Sequence, residues 1–351
     1  AWRQIGMTPT VTARGNGTAG GKSRDEWNAW WADAQSSSMY VCGGMSAEGA
    51  LLDAPGVVAG AQSHLYMETQ VATCWPGDCG TFVVRAATQS SQTMQKKLTA
   101  LLGVPAHSVT VLNDRIGGGF GGKEPQSFPT AAMAALACRA LKRPVRVHLS
   151  RREDMRMIGK RHRVEGYYRA IADLEREALV AMDLVMLGDA GVSTSTSGAV
   201  LELAGLLADN AYHCPNFRAE AHPVLTNHAT GTAMRSFGAI QSFTVSETAV
   251  EHALWNALRD SEVWPPSPLT VAQWRQNSFS KIVGTGADTV LPTCPLRLDF
   301  TSNEFVNYGQ ELAEASAMHG VWERVTAHVR DEHWQDEVDA FNNAKSPDGF
   351  L

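Results

Sequence analysis

The sequence predicts an α+β fold, and three observations carry that prediction. Short β-rich runs and amphipathic runs alternate irregularly along residues 39–245, without the steady β-α-β rhythm of a doubly wound sheet. Apolar residues make up 44% of the 351 and charged residues 19%, enough to bury a large core. Beyond residue 260 the runs turn helical, behind a break at Pro265, Pro266 and Pro268.

Residues 1–38 differ from the rest of the chain and read as an N-terminal arm. Within it, 15–21 (GNGTAGG) is a flexible stretch. Trp27, Trp30 and Trp31 share one helical face through their i, i+3, i+4 spacing, and Trp2 adds another indole. Such rings need burial, either on their own domain or on another subunit, where Trp is a favoured anchor. Strands are predicted over 65–72, 81–87, 109–112, 145–149, 164–171 and 179–187. Helices are predicted over 91–102, with Gly103 as the stop, over 130–141 and over 240–259. Residues 39–259 thus form one α+β lobe. In a helical C-terminal part, 260–351, Thr270 can cap a helix over 271–279, and two more are predicted over 303–318 and, after Gly320, over 321–343.

The net charge of −6 argues against nucleic acid as a partner. The one basic run, Lys160, Arg161, His162 and Arg163, reads as the solvated start of a strand. No apolar run approaches the roughly 20 residues that cross a bilayer. Six cysteines include no CxxC pair, so neither a zinc site nor an iron–sulfur cluster has its usual spacing, and they read as reduced, mostly buried thiols. His64, His162 and His228 are isolated and read as ordinary core or surface residues. The chain begins at Ala1 rather than Met, which a cleaved targeting segment or a cloning product explains; the expectation is an intracellular protein, mitochondrial or otherwise cytoplasmic.

The densest signal is residues 117–124 (GGGFGGKE), with five glycines in eight residues directly after a predicted strand. Glycine at that density permits positive φ and lets successive backbone N–H groups approach an anion. The spacing is neither GxGxxG nor GxxxxGK[ST], so it supports neither a dinucleotide nor a P-loop reading. A purely structural tight turn is the alternative.

GGGFGGKE resembles the signature of the molybdenum hydroxylases, the xanthine dehydrogenase and aldehyde oxidase family, and other segments agree in order and spacing. These are 60–70 (GAQSHLYMETQ, with Ala61 for a family glycine), 87–89 (ATQ), 102–106 (LGVPA), 209–216 (DNAYHCPN) and 233–238 (AMRSFG). The resemblance covers 39–280 and fades toward 343. It implies the first lobe of a molybdopterin-binding domain, in a family whose cofactor hydroxylates an electron-poor carbon with a carboxylate as base. By resemblance, Gln89 hydrogen-bonds toward the metal's ligands, and Gly119, Phe120 and Gly121 lie against the cofactor. Arg235 sits beside the pterin, Phe237 sandwiches a flat substrate, and Glu124 orients it. Each has an ordinary alternative: core aromatics for Phe120 and Phe237, an ion pair for Arg235, a helix cap for Glu124.

Two departures qualify the resemblance. Leu203 stands where purine-oxidising members carry an arginine, and a leucine cannot donate hydrogen bonds to a purine. Nothing in 301–351 resembles the family's second half, which holds further pterin contacts and the base. The expectation drawn is a degenerate, catalytically inactive protein with no cofactor, an accessory subunit whose partners cover the missing-lobe face and the arm with Trp2, Trp27, Trp30 and Trp31. The alternatives are a molybdopterin-dependent hydroxylase completed by a second polypeptide, and a small-molecule or pterin-binding protein without turnover.

Overall fold

In a computed structural model, the structure describes residues 39–259 apart from 47, 174–177, 213 and 215. Outside that stretch it describes 3–4, 10–14, 25, 28–29, 31, 275, 298–300, 303–305, 317–331, 336 and 340. The chain opens with short strands: β1 (Arg3–Gln4), β2 (Thr10–Arg14), β3 (Met39–Gly43) and β4 (Val57–Ala59). They extend a sheet whose long strands come later.

A smaller unit is next, made of β5 (Val71–Pro76), β6 (Phe82–Ala86), helix α1 (Ser91–Leu102), β7 (Val109–Leu112), α2 (Phe128–Leu141) and β8 (Val145–His148). The strand order is β7-β6-β5-β8; β6 and β7 are parallel, joined through α1, and the other pairs are antiparallel. β5 and β6 bury alternate residues, which turns Ala72, Cys74, Phe82, Val84 and Ala86 toward the helices. Met94, Leu98 and Leu102, four residues apart on α1, meet that face together with Ala131, Ala134, Ala135 and Cys138 of α2. α1 ends, as its sequence predicts, at Gly103 in the left-handed conformation (φ 62°).

The short helix α3 (Arg151–Met157), started by a Ser150/Glu153 capping box, leads into the larger unit. This comprises β9 (Val164–Asp173), β10 (Ala178–Gly191), α4 (Ser197–Leu206), β11 (Asn216–Leu225) and α5 (Ala239–Arg259). The sheet runs β1-β11-β10-β9-β3, with β2 also on β11 and β4 on β9. β10 and β11 are parallel around the α4 crossover. α4 and α5 cover one face and close the main core with Val200, Leu201, Val245, Val250 and Leu254.

This sheet also carries charge inside. Asp183 on β10 is directly opposite Arg169 on β9 and Arg218 on β11. Arg169 Nη2 lies 2.8 Å from Asp183 Oδ2, and Arg218 Nη1 lies 3.7 Å from Oδ1. Trp31 is buried with its ring 4.6 Å beneath the Arg169 guanidinium, which also donates to Asn28 Oδ1. That indole is therefore covered by its own sheet, while Trp2, Trp27 and Trp30 lie outside the described residues. Among the described residues after α5, β12 (Leu298–Phe300) pairs with β13 (Asn303–Phe305), and α6 (Ala317–Asp331) follows.

Several expectations change. The strand predicted over 65–72 begins only at Val71, because Leu65 is left-handed (φ 46°) and Tyr66 and Gln70 turn inward to a buried carboxylate, Asp154. The helix predicted over 303–318 is a strand at its start, where Leu298, Phe300 and Phe305 give an alternating β-prone pattern. Gly320 does not stop the last helix, which runs through it; an exposed helical glycine costs only about 1 kcal/mol. The helix predicted over 271–279 lies outside the described residues except for 275. The basic run is not solvated, since Arg161 and His162 are buried. Cys79 is exposed at the β5–β6 turn, whereas Cys74, Cys138 and Cys214 are buried thiols, and Cys294 is outside the described residues.

The core of the smaller unit gives a direct check. Leu98→Ala removes a fully buried side chain between α1 and the sheet and should cost about 2–5 kcal/mol, whereas Leu101→Ala, on the exposed side of the same helix, should cost under about 0.5 kcal/mol. Urea unfolding midpoints measure both.

Candidate cofactor-binding site

Gln89 comes after β6, and the loop at 117–123 comes after β7, so both leave the carboxyl ends of one parallel strand pair. Ligands in open α/β sheets collect at such ends. The 233–238 turn, just before α5, comes from the larger unit and meets the loop there: Arg235 N–H donates to Phe120 O at 3.0 Å.

The loop is held by side-chain oxygens. Gln89 Oε1 accepts from Gly121 N–H (2.8 Å) and Lys123 N–H (3.2 Å), and Gln89 N–H donates to Lys123 O (2.8 Å). There is no room for side chains where the loop crosses its neighbours. A Cβ on Gly119 would lie 2.5 Å from Gln89 Oε1; one on Gly121, at φ +94°, would lie 2.4 Å from Ala233 O. Phe120 between them is left-handed (φ 54°), and the residue is 48% exposed. Such a conformation is rare for a bulky residue and marks a constrained position.

This path leaves donors unused. Among the described residues, the N–H groups of Gly118, Gly119 and Phe120 reach no protein acceptor, and neither does the side-chain nitrogen Nε2 of Gln89. Gly118 and Phe120 have positive φ, and three successive free N–H groups in such a loop are a candidate nest for an anion.

The support behind this face is buried and polar. His64 sits on the 233–238 turn, its Nε2 2.7 Å from Ala233 O, and burial lowers its pKa. Arg161 donates to Arg235 O (2.7 Å), Gln62 Oε1 (2.8 Å) and Ser236 Oγ (3.3 Å). Every acceptor it reaches is neutral, and burial pulls its pKa down. Tyr66 donates to Asp154, and Gln70 Nε2 donates to Gly122 O at 2.8 Å. Burial raises the Tyr66 pKa, with the Asp154 charge adding to it.

The candidate residues divide clearly. Gln89, Gly119, Phe120, Gly121 and Arg235 form one continuous patch, with the Arg235 side chain exposed. Phe237, left-handed at φ 43°, is half-buried against the main core. Leu203 is half-buried on α4, the helix on which Gly238 presses. Glu124 is exposed, and it is not the cap of α2: that position is Ser127, whose hydroxyl donates to Lys123 O at 3.0 Å. Sequence reading missed Glu68, Lys123, His64 and Arg161. All are ordinary charged or titratable residues whose contacts come from chain crossings far apart in sequence; His64, Lys123 and Arg161 are buried by them and Glu68 is half-buried.

The profile of the family described as "Molybdopterin cofactor-binding domain" matches residues 47–257. Xanthine dehydrogenase from Oryza sativa subsp. japonica is 37% identical over 207 residues, 59% of this chain and 15% of that protein. Nicotinate hydroxylase from Emericella nidulans is 35% identical over 192 residues, 54% of this chain and 14% of that protein. The fold of the aldehyde oxidoreductase from Desulfovibrio gigas superimposes with a TM-score of 0.66 at 20% identity, covering 97% of this chain and 30% of that one. The chain belongs to the molybdopterin cofactor-binding domain family, in the xanthine dehydrogenase and aldehyde oxidase lineage. It spans only a small part of the length of these relatives. The expectation that no cofactor is bound gains no support from this membership.

The residues present fit an anionic, oxygen-rich cofactor. The free N–H nest, the Gln89 amide nitrogen and the exposed Arg235 guanidinium are all donors, and the two close crossings keep β-carbons out of the nest.

Gly121→Ala forces apart the loop and the 233–238 turn, and should destabilise the protein by about 1–3 kcal/mol and speed amide exchange at Arg235. A second check uses pH. His162, buried with Nε2 2.8 Å from Ser197 Oγ, has its pKa depressed by burial to about 4. A depressed histidine stabilises fully above its unfolded value of 6.5 and loses that contribution as pH falls toward 4, about 3 kcal/mol in all. Urea midpoints should therefore fall between pH 7 and pH 4, and His162→Gln should flatten the fall.

Proposed function

We propose that this chain forms one wall of a molybdopterin-dependent hydroxylase site acting on an aldehyde or an N-heterocycle, completed by a further stretch of protein. The observation that carries this is the run of three free N–H groups on a loop with no space for side chains. When bound, the cofactor supplies the oxidative hydroxylation of an electron-poor carbon. The nest of Gly118, Gly119 and Phe120 binds its anionic edge, and Arg235 balances its charge. The Gln89 amide nitrogen donates toward it, because the amide oxygen is already committed to the loop. Phe120 and Phe237 give the flat surfaces that orient a planar substrate, and Glu124 accepts a hydrogen bond from it. Leu203 offers that substrate no donor, which favours an aldehyde or a less polar heterocycle over a purine. The names of the relatives, xanthine dehydrogenase, nicotinate hydroxylase and aldehyde oxidoreductase, support the reaction class.

A second reading, a non-catalytic accessory subunit, is favoured by Leu203 and by the exposed apolar rim of Leu65, Met67 and Phe120. A protein partner covers such a rim well. The readings separate on the chain purified from cells that make molybdopterin, assayed for molybdenum by elemental analysis and for pterin by fluorescence after oxidation. The hydroxylase reading expects both in near-equal amount with the chain and their loss in Gly119→Val. Wild-type protein free of metal and pterin, held in a stable complex with another subunit, would support the accessory role and overturn the first reading.

A further inference from the structure

Beneath the loop lies an ion pair between a buried lysine and a half-buried glutamate, to which neither the resemblance nor the family assigns a role. Lys123 is fully buried, its ammonium 2.8 Å from Glu68 Oε2 and 4.7 Å from the centre of the Tyr66 ring. The same oxygen, Oε2, accepts from Gly117 N–H at 2.9 Å, and Glu68 N–H donates to Gly117 O at 3.1 Å. A Cβ on Gly117 would lie 2.4 Å from Glu68 Cβ, so the two backbones touch. One carboxylate oxygen therefore holds both ends of the loop, Gly117 by its amide and Lys123 by its ammonium.

We propose that Glu68 and Lys123 are positioning residues that close the 117–123 loop and aim its free N–H groups at the cofactor. Glu68 and Gln89 divide the work. Between them they take up the amides of Gly117, Gly121 and Lys123, and Gly122 N–H turns back to Gly119 O at 2.8 Å. Gly118, Gly119 and Phe120 are the amides left over, in an unbroken run. Charge makes the closure strong: an ionised acceptor and an ionised donor hydrogen-bond about twice as strongly as neutral groups. Burial lowers the Lys123 pKa only in part, because Glu68 opposes it; burial raises Glu68, but Lys123 and the Gly117 amide outweigh it and leave it low. The 2.8 Å contact of ammonium nitrogen with carboxylate oxygen is that of an ion pair. Breaking the pair strands the lysine in a dry site, where an unpaired charge is costly. The link to the cofactor rests on the molybdopterin-binding reading above; the closure of the loop does not.

The test measures amide exchange at Gly117, Gly121 and Lys123 in the full chain, alongside retained molybdopterin. Glu68→Ala should speed exchange at these three amides by about tenfold or more, the loss of one charge-assisted contact, with β9 and β10 unchanged. Glu68→Gln keeps an oxygen for Gly117 but strands Lys123, so it should open the loop too. The double variant Glu68→Gln/Lys123→Met removes both charges while keeping that oxygen, and should recover most of the protection and of the pterin. This rescue also covers the case in which Glu68→Ala fails to fold. Unchanged exchange in Glu68→Gln, or no rescue in the double variant, would overturn the clamp. An open loop with full pterin retention would overturn its role toward the cofactor. Absence of pterin from the wild type would instead count against the molybdopterin reading, with the exchange data still deciding the clamp.

Discussion

Two side-chain oxygens, Oε1 of Gln89 and Oε2 of Glu68, hold the loop at 117–123 by its own amides, and the rest of the candidate face depends on the path they impose. A loop held this way lies so close to its neighbours that β-carbons are excluded at Gly117, Gly119 and Gly121. The glycines are thus not there for flexibility. They allow contact, and the contact fixes which N–H groups remain unused. Phe120, the one large residue inside the glycine run, is forced into a left-handed conformation with its ring outward.

The opposite wall, the 233–238 turn, is fixed from behind by a different kind of group. Arg161 and His64 hold the carbonyls of Arg235 and Ala233. Arg161 is a cation buried among neutral acceptors, an arrangement that costs solvation and leaves positive potential under the turn. Together with the exposed Arg235 it makes the face attractive to an anion from two sides. The larger sheet uses charge in the reverse way. Its Arg169, Asp183 and Arg218 oppose one another across three neighbouring strands, so the charge there is taken up by pairing within the fold.

Much of this was legible in the sequence, for reasons that can be named. α1 was readable to its last residue because Met94, Leu98 and Leu102 repeat every four residues and Gly103 ends the pattern. β7 and β8 were readable as short β-branched runs. β5 was placed too early, over 65–72, because the segment before it has a similar composition but turns inward for polar reasons; β11 was not read as a strand, since it carries Arg218, Glu220, His222 and Pro223 within its ten residues. The patch of Gln89, Gly119, Phe120, Gly121 and Arg235 was legible through motif resemblance, since those residues recur in fixed order. Glu68 lies inside one of the resembling segments, 60–70, yet its tie to Lys123 spans 55 positions and leaves no local trace. Arg161 looked like part of a solvated basic run; only the crossing of the 233–238 turn buries it.

The central claim is that the nest is a binding surface and not a remnant of descent. The most direct measurement is an experimental structure of the chain purified from molybdopterin-making cells, inspected at the N–H groups of Gly118, Gly119 and Phe120. The expected result is density for an anionic, oxygen-bearing pterin within hydrogen-bonding distance of those three amides, with Arg235 alongside. Well-resolved amides satisfied only by water, or covered by another protein segment, would contradict it.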